Sequence, residues 1–267
     1  MNRIANLTGI VRGNFLDKDG VLYFIDVPKD VEPAGKKEPA NKNLWSPWRK
    51  ENYAFLKSEL ERLPRESLLL DIGAGQLQFR DILEDFRLVA VDFYPYPGVN
   101  VVCDINQSLP FRDASADILV MSNVLEHIAE PNILLAECAR VLKPGGVMLG
   151  AVPFMINIHQ RPYDFYRYTD INLQYLLKKH GFEKIDVRPV LMLSQLVFAV
   201  TSNFFVHLIQ KTEYSEHKVA QAAYIFCLRV LWKIVRVIFR LLGPIFMRCA
   251  NDEDLPLGYN FKAKKSA

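Results

Sequence analysis

Apolar and polar positions change period several times along the chain, and each change predicts an element. Leu7 to Val11 and Val21 to Val27 alternate as strands do, with hairpin-turn chemistry between them in Asp17-Lys18-Asp19-Gly20. A small β appendage over residues 1–27 is expected. Its Asp-x-Asp-Gly reads as a turn and not as a calcium loop, because the later Asp or Asn, Gly and Glu ligand positions do not follow. Residues 28–43 carry Pro28, Pro33, Gly35 and Pro39 among lysines and acids, a composition that cannot bury a core and therefore reads as a linker. Next, Trp45, Trp48, Phe55, Leu56, Leu60 and Leu63 recur at helical spacing up to Pro64.

Strand and helix patterns then alternate over a core spanning 44–190. The strands are Leu68 to Ile72, Leu88 to Asp92, Val99 to Cys103, Ile118 to Ser122, Val147 to Val152 and Phe182 to Val190, with helices at Phe79 to Asp85, Asn132 to Leu142 and Asp170 to His180. Such interleaving predicts an α/β fold with a parallel sheet covered on both faces. Gly258 to Ala263 supplies a last strand candidate within 251–267. Between it and the core, residues 191–250 form a hydrophobic helical insertion.

That insertion begins with a run free of Asp, Glu, Lys and Arg from Val190 to Gln210, but Ser194, Gln195, Thr201, Ser202, Asn203 and His207 interrupt it, which weakens a membrane-spanning reading. A second helix, about 219–242, places Arg229, Lys233, Arg236 and Arg240 on one face at spacings of four, three and four. Leu228, Leu231, Trp232, Val235, Ile238, Phe239 and Leu242 fill the remainder. A cationic stripe beside a wide apolar face suits a helix lying on an anionic membrane surface; a helical cap over the active site or a dimer interface would use the same pattern.

Composition narrows the classes further. Half the residues are hydrophobic, enough to fill a substantial core, and Lys plus Arg (33) exceeds Asp plus Glu (30) by only three, so no global field points to nucleic acid. Cys103, Cys138, Cys227 and Cys249 form no Cys-x-x-Cys pair, which argues against a zinc ribbon or a disulfide framework, and no metal site is expected. The N-terminal residues lack the pattern of a signal peptide, so a cytoplasmic setting is expected, peripherally attached to the inner face of the membrane if the cationic helix binds there.

The chemistry concentrates at strand ends. Asp71-Ile72-Gly73-Ala74-Gly75 closes an apolar strand and opens onto a helix, where free N–H groups and glycines admit a ligand close to the backbone. A dinucleotide fingerprint would need Gly or Ala where Gln78 stands, so a nicotinamide cofactor is disfavoured. Asp71 suits instead a ligand that carries an ammonium group. Asp92 ends the next strand, ahead of Phe93, where a carboxylate accepts both hydroxyls of a ribose, and Asp104 with Ile105 offers a polar contact and an apolar wall for adenine.

In this order, Leu-Leu-Leu-Asp-Ile-Gly-Ala-Gly (68–75), Val-Ala-Val-Asp (89–92), Ser108-Leu109-Pro110-Phe111, Asp117-Ile118-Leu119-Val120, Leu125-Glu126-His127-Ile128 and Arg140-Val141-Leu142-Lys143-Pro144-Gly145-Gly146 resemble the class I S-adenosylmethionine-dependent methyltransferases, in the methyltransferase type 11-like small-molecule group. The resemblance covers about Leu68 to Val152. It implies a Rossmann-like, doubly wound, mostly parallel seven-stranded sheet whose antiparallel last strand is Gly258 to Ala263. It further implies S-adenosyl-L-methionine as cofactor, with Asp71, Gly73 and Gly75 around the methionine moiety, Asp92 at the ribose, Asp104 and Ile105 at the adenine, Asn123 at the end of the fourth strand, and Ala74 and Phe93 among the cofactor-binding residues. One family glycine is replaced by Leu77.

The acceptor is expected at His159 to Thr169, which follows the fifth strand on the ligand-binding side of such sheets. Tyr163, Tyr166, Arg167 and Tyr168 would line it, with His159 or Asp164 available as a base. A loop that merely anchors the next helix through Tyr and Arg hydrogen bonds is the structural alternative. His127 is a second base candidate whose packing role is favoured. Together these features predict methyl transfer to a small or lipid-linked acceptor, the alternative being a non-catalytic membrane or partner-binding module that keeps the fold.

Overall fold

The computed structural model describes residues 7–27, 41–190, 218–249 and 255–267, with positions 197, 200, 201, 204, 205 and 208. Most of the expected linker and most of the uncharged run at 190–210 lie outside the described residues. The chain divides into two compact units, Met1–Arg188 with Gly258–Ala267, and Pro189–Leu257.

The first unit is built on one sheet of nine strands: β1 (Leu16–Lys18), β2 (Val21–Tyr23), β3 (Leu68–Ile72), β4 (Arg87–Asp92), β5 (Val101–Val102), β6 (Ala116–Ser122), β7 (Leu142–Pro153), β8 (Phe182–Val190) and β9 (Gly258–Lys265). Their spatial order is β1-β2-β5-β4-β3-β6-β7-β9-β8. Ladders β5-β4-β3-β6-β7 are parallel and β9 runs antiparallel to β7. This is the doubly wound sheet with a reversed inserted strand. The helices are α1 (Pro47–Leu60), α2 (Arg80–Leu83), α3 (Pro131–Val141), α4 (Asp170–Lys179) and, in the second unit, α5 (Lys218–Cys249).

Sequence period and packing agree on the central strands. In β3, Leu68, Leu70 and Ile72 join one core with residues of α3 and α4, while Leu69 joins the other with Phe55, Leu56 and Leu83. Alternation of side chains across a strand produces this two-faced burial. Ser46 caps α1, accepting from the Arg49 N–H, and Pro47 occupies the first turn, where its missing donor costs nothing. Glu59, a buried residue of α1, accepts from Lys262 at 2.7 Å and pairs with Arg188 at 3.2 Å. Burial alone would raise its pKa, but Lys262, Arg188 and Arg62 outweigh that and hold it low. α1 is thereby tied to β8 and β9.

The N-terminal segment differs from expectation. Leu7 to Ile10 is a turn, with the Ile10 and Val11 N–H groups bonding the Leu7 carbonyl, and the hairpin is β1 with β2. β1 is wholly exposed, so its sequence carries no alternation to read. The hairpin also extends the main sheet, because β2 pairs in parallel with β5 at Leu22↔Val101 and Tyr23↔Val102.

Candidate functional site

Strand β3 ends in a turn that requires glycine. Gly73 has φ +69°, and a Cβ there would sit 2.5 Å from a Val124 methyl carbon, so Gly73 is fixed by close packing as well as by conformation. Gly75 has φ +52°, yet a Cβ there meets nothing within 4 Å. Among the described residues, open space lies over Gly75.

Two carboxylates border this turn. Asp71 is buried. Burial, assisted by the charge of Asp92, raises its pKa to about 7. Asp92 accepts from the Gly75 N–H at 2.8 Å and the Tyr94 N–H at 2.9 Å. Burial pushes its pKa up, while these backbone donors oppose the shift. Asp71 thus carries an uncompensated burial cost, while backbone donors partly offset that of the half-buried Asp92.

Of the other residues expected to meet a cofactor, Asp104 and Ile105 follow β5 and Asn123 follows β6. Asp104 accepts from the Asn106 backbone and side chain and from Gln107, and Ile105 beside it is buried. Asn123 follows β6 with φ +57°, and its Oδ1 accepts from Trp48 Nε1 at 3.0 Å. The Trp48 ring also occupies the space that a side chain at Gly258 would take. Sequence reasoning placed Trp48 on α1 but missed this role. Its apolar spacing offered no sign that the indole N–H would reach the end of β6.

The aromatic loop is sewn to the segment after β6. Phe165 and Tyr166 N–H groups donate to the Glu126 carbonyl at 2.8 and 3.2 Å, Tyr166 Oη to the Ala129 carbonyl, and Tyr168 Oη to the Leu125 carbonyl. Arg167 grips both oxygens of Asp164 and the Ile156 carbonyl. Much of the motif therefore anchors backbone. Tyr168 corrects the expectation most clearly: it is 2% exposed and part of the hydrophobic core, so it lines no acceptor surface. Tyr163, Phe165 and Tyr166 remain exposed. Arg167 holds the Asp164 carboxyl far below the usual carboxylate range, so this acid is a poor proton acceptor. Its Oδ2 lies 3.4 Å from Nδ1 of His159.

Glu126 is the residue that sequence reasoning passed over. It is fully buried, and among the described residues neither carboxylate oxygen has a hydrogen-bond partner. Burial raises its pKa to about 8. Beside it, His127 Nδ1 lies 2.6 Å from the Tyr163 carbonyl oxygen, and burial lowers the imidazole's pKa.

Comparison with known proteins fits this geometry. Residues 70–150 match the family model described as a methyltransferase domain. A probable S-adenosylmethionine-dependent methyltransferase of Mycolicibacterium smegmatis is 30% identical over 162 residues, covering 52% of this chain and 63% of that protein. An uncharacterized methyltransferase of Mycolicibacterium gilvum is 35% identical over 96 residues, covering 31% and 38%. The chain thus spans less than two thirds of these relatives. Among solved structures, a SAM dependent methyltransferase from Archaeoglobus fulgidus superposes with TM-score 0.52 at 17% identity, over 81% of this chain and 94% of that one. The cyclase SpnF superposes equally well, TM-score 0.52 at 20% identity over 85% of each chain. At these identities the likeness speaks for the fold. Residues 70–150 thus match a methyltransferase domain, and the sheet order and glycine turn around them fit the fold of the S-adenosylmethionine-dependent methyltransferases.

Proposed function

We propose that the protein transfers a methyl group from S-adenosylmethionine to a small or lipid-linked acceptor at an anionic membrane surface. The observation that carries the donor half is the buried Asp71 and the half-buried Asp92, flanking open space over Gly75 among the described residues. In this reading Asp71 faces the ammonium of the methionine moiety, with Gly73, Ala74 and Gly75 around it. Asp92 beside Phe93 accepts the ribose hydroxyls, and Asp104 with Ile105 meets the adenine. Asn123, held by Trp48, borders the methionine end. When bound, the donor supplies a methyl group activated on a sulfonium.

Methyl transfer from a sulfonium is an in-line displacement, so alignment and exclusion of water carry the rate and a dedicated base is optional. The acceptor is assigned to the loop at 159–169, with Tyr163, Tyr166 and Arg167 at its edge. For a hydroxyl acceptor, His159 is the base and Asp164 orients its ring. Isothermal titration with S-adenosylhomocysteine tests the donor half. The wild type binds, and Asp92→Ala loses about 2 kcal/mol, or roughly 30-fold, for the charged hydrogen bonds to the ribose. A wild type that does not bind would favour the non-catalytic module.

The membrane half rests on α5. At about 100° per residue, Arg229, Lys233, Arg236 and Arg240 fall within one narrow stripe. Leu228 is buried and Trp232 stacks on Phe205 at 5.4 Å, so one apolar side is packed within its own unit. A different apolar arc, including Phe226, Val230, Ile234, Val237, Ile238 and Leu241, is exposed and flanks the cations. Among the described residues no helix is long and apolar enough to cross a membrane. Exposed apolar side chains bordered by cations match an acyl–headgroup boundary with anionic lipid. In liposome flotation the protein rises with phosphatidylglycerol vesicles, and changing the four cations to Glu, at about 1 kcal/mol per charge, leaves it at the bottom. Wild-type protein that stays with the soluble fraction sinks this half alone.

A further inference from the structure

Glu126 and His127 sit in the short 3-10 turn after β6, and His159 lies in the loop after β7. Thirty-two positions separate the two histidines, so no ligand spacing is visible in the sequence. In space one ligand atom from each of the three residues lies within 4.8 Å of the others. His127 Nε2 is 3.7 Å from Glu126 Oε1, and the two imidazoles meet edge to face with centroids 5.0 Å apart.

The hydrogen bonds around this cluster point the rings inward. A backbone carbonyl only accepts, so Nδ1 of His127 donates to Tyr163, which leaves Nε2 with its lone pair toward Glu126. Nδ1 of His159 likewise faces oxygen atoms, the Asn157 carbonyl at 3.2 Å and Asp164 Oδ2 at 3.4 Å. Metal-binding histidines characteristically donate their second ring N–H to a carbonyl or carboxylate in this way. Glu126 completes the set. A fully buried carboxylate with both oxygens unpartnered is costly unless a cation meets it.

We propose that Glu126, His127 and His159 bind one divalent transition-metal ion through a carboxylate oxygen and two imidazole nitrogens. Two nitrogens and one oxygen of this kind favour zinc or ferrous iron over magnesium or calcium, and three protein ligands leave coordination positions open. Those positions take an oxygen-bearing acceptor, which turns His159 from a base into a ligand; this last role rests on the methyl-transfer reading, whereas metal binding does not.

Titration of the untagged, metal-stripped full chain with Zn²⁺, followed by calorimetry, tests the site. One ion binds per chain, His159→Ala weakens it about 10- to 100-fold, and Glu126→Gln weakens it comparably. The His159 side chain is 37% exposed, and an unchanged melting temperature with unchanged S-adenosylhomocysteine binding verifies that its loss spares the fold. His180→Ala, whose ring is engaged by Asn132, leaves the affinity unchanged. Substitution with Co²⁺ gives visible absorption bands that His127→Ala removes. Absence of Zn²⁺ binding, or binding that survives His159→Ala at full strength, overturns the proposal, and neither result bears on the donor site.

Discussion

Asp71 makes the cofactor reading measurable through pH. Folding raises its pKa from 3.8 to about 7, so ionising it costs the ligand-free protein stability. That penalty is absent below the unfolded value, grows as pH rises from 4 to 7, and is complete above 7, with a ceiling of roughly 4 kcal/mol at 1.36 kcal/mol per unit. An ammonium group placed against Asp71 favours its charged form and lowers the pKa by about 1 to 3 units. Binding below neutrality therefore releases a proton. Linkage then predicts that S-adenosylhomocysteine affinity increases between about 7- and 30-fold from roughly pH 5.5 to 8 and flattens above. Calorimetry in buffers of different ionisation enthalpy reads both the affinity and the proton. Asp71→Asn keeps the shape, removes the charge, weakens binding at pH 8 by about 2 kcal/mol and flattens the profile. A flat wild-type profile would refute the reasoning. So would a slope that persists in Asp71→Asn and vanishes in Asp92→Asn, since the titrating acid would then be the neighbour.

Two further expectations separate packing from ligand approach. Gly73→Ala meets both Val124 and an unfavourable φ, and lowers stability by about 1–3 kcal/mol, visible as a drop in melting temperature. Gly75→Ala pays only the conformational cost of about 1–2 kcal/mol, but its methyl enters the open space, so S-adenosylhomocysteine binding falls more than stability does. Trp48→Phe removes the donor to Asn123 and costs about 1 kcal/mol in denaturant unfolding; no change would show that water replaces the indole N–H.

The central strands were legible because their apolar residues repeat at the period of the element and both sheet faces are covered. Hence β3, β4, β6, β7 and β9 lie within a few residues of where the pattern put them. The glycine turn and the strand-end positions of Asp71 and Asp92 were legible for a related reason: adjacent parallel strands end on one edge of the sheet, so residues placed there by sequence are neighbours in space. β1 was not legible, since an exposed edge strand needs no alternation. The aromatic run at 163–168 was read for its chemistry, yet Tyr168 is buried and Arg167 is occupied with Asp164, because which side of a loop faces water depends on the segment it packs against.

What the sequence determined by itself is the sheet, the glycine turn and the strand-end positions of Asp71, Asp92 and Asp104, all set by local periodicity. What only the tertiary structure decided is the company those residues keep. Trp48 reaches Asn123 across 75 positions, Glu59 binds Lys262 across 203, and Glu126 loses all contact with water beside two histidines from different loops. Burial and charge pairing are properties of the packed chain, and no spacing along the sequence encodes them.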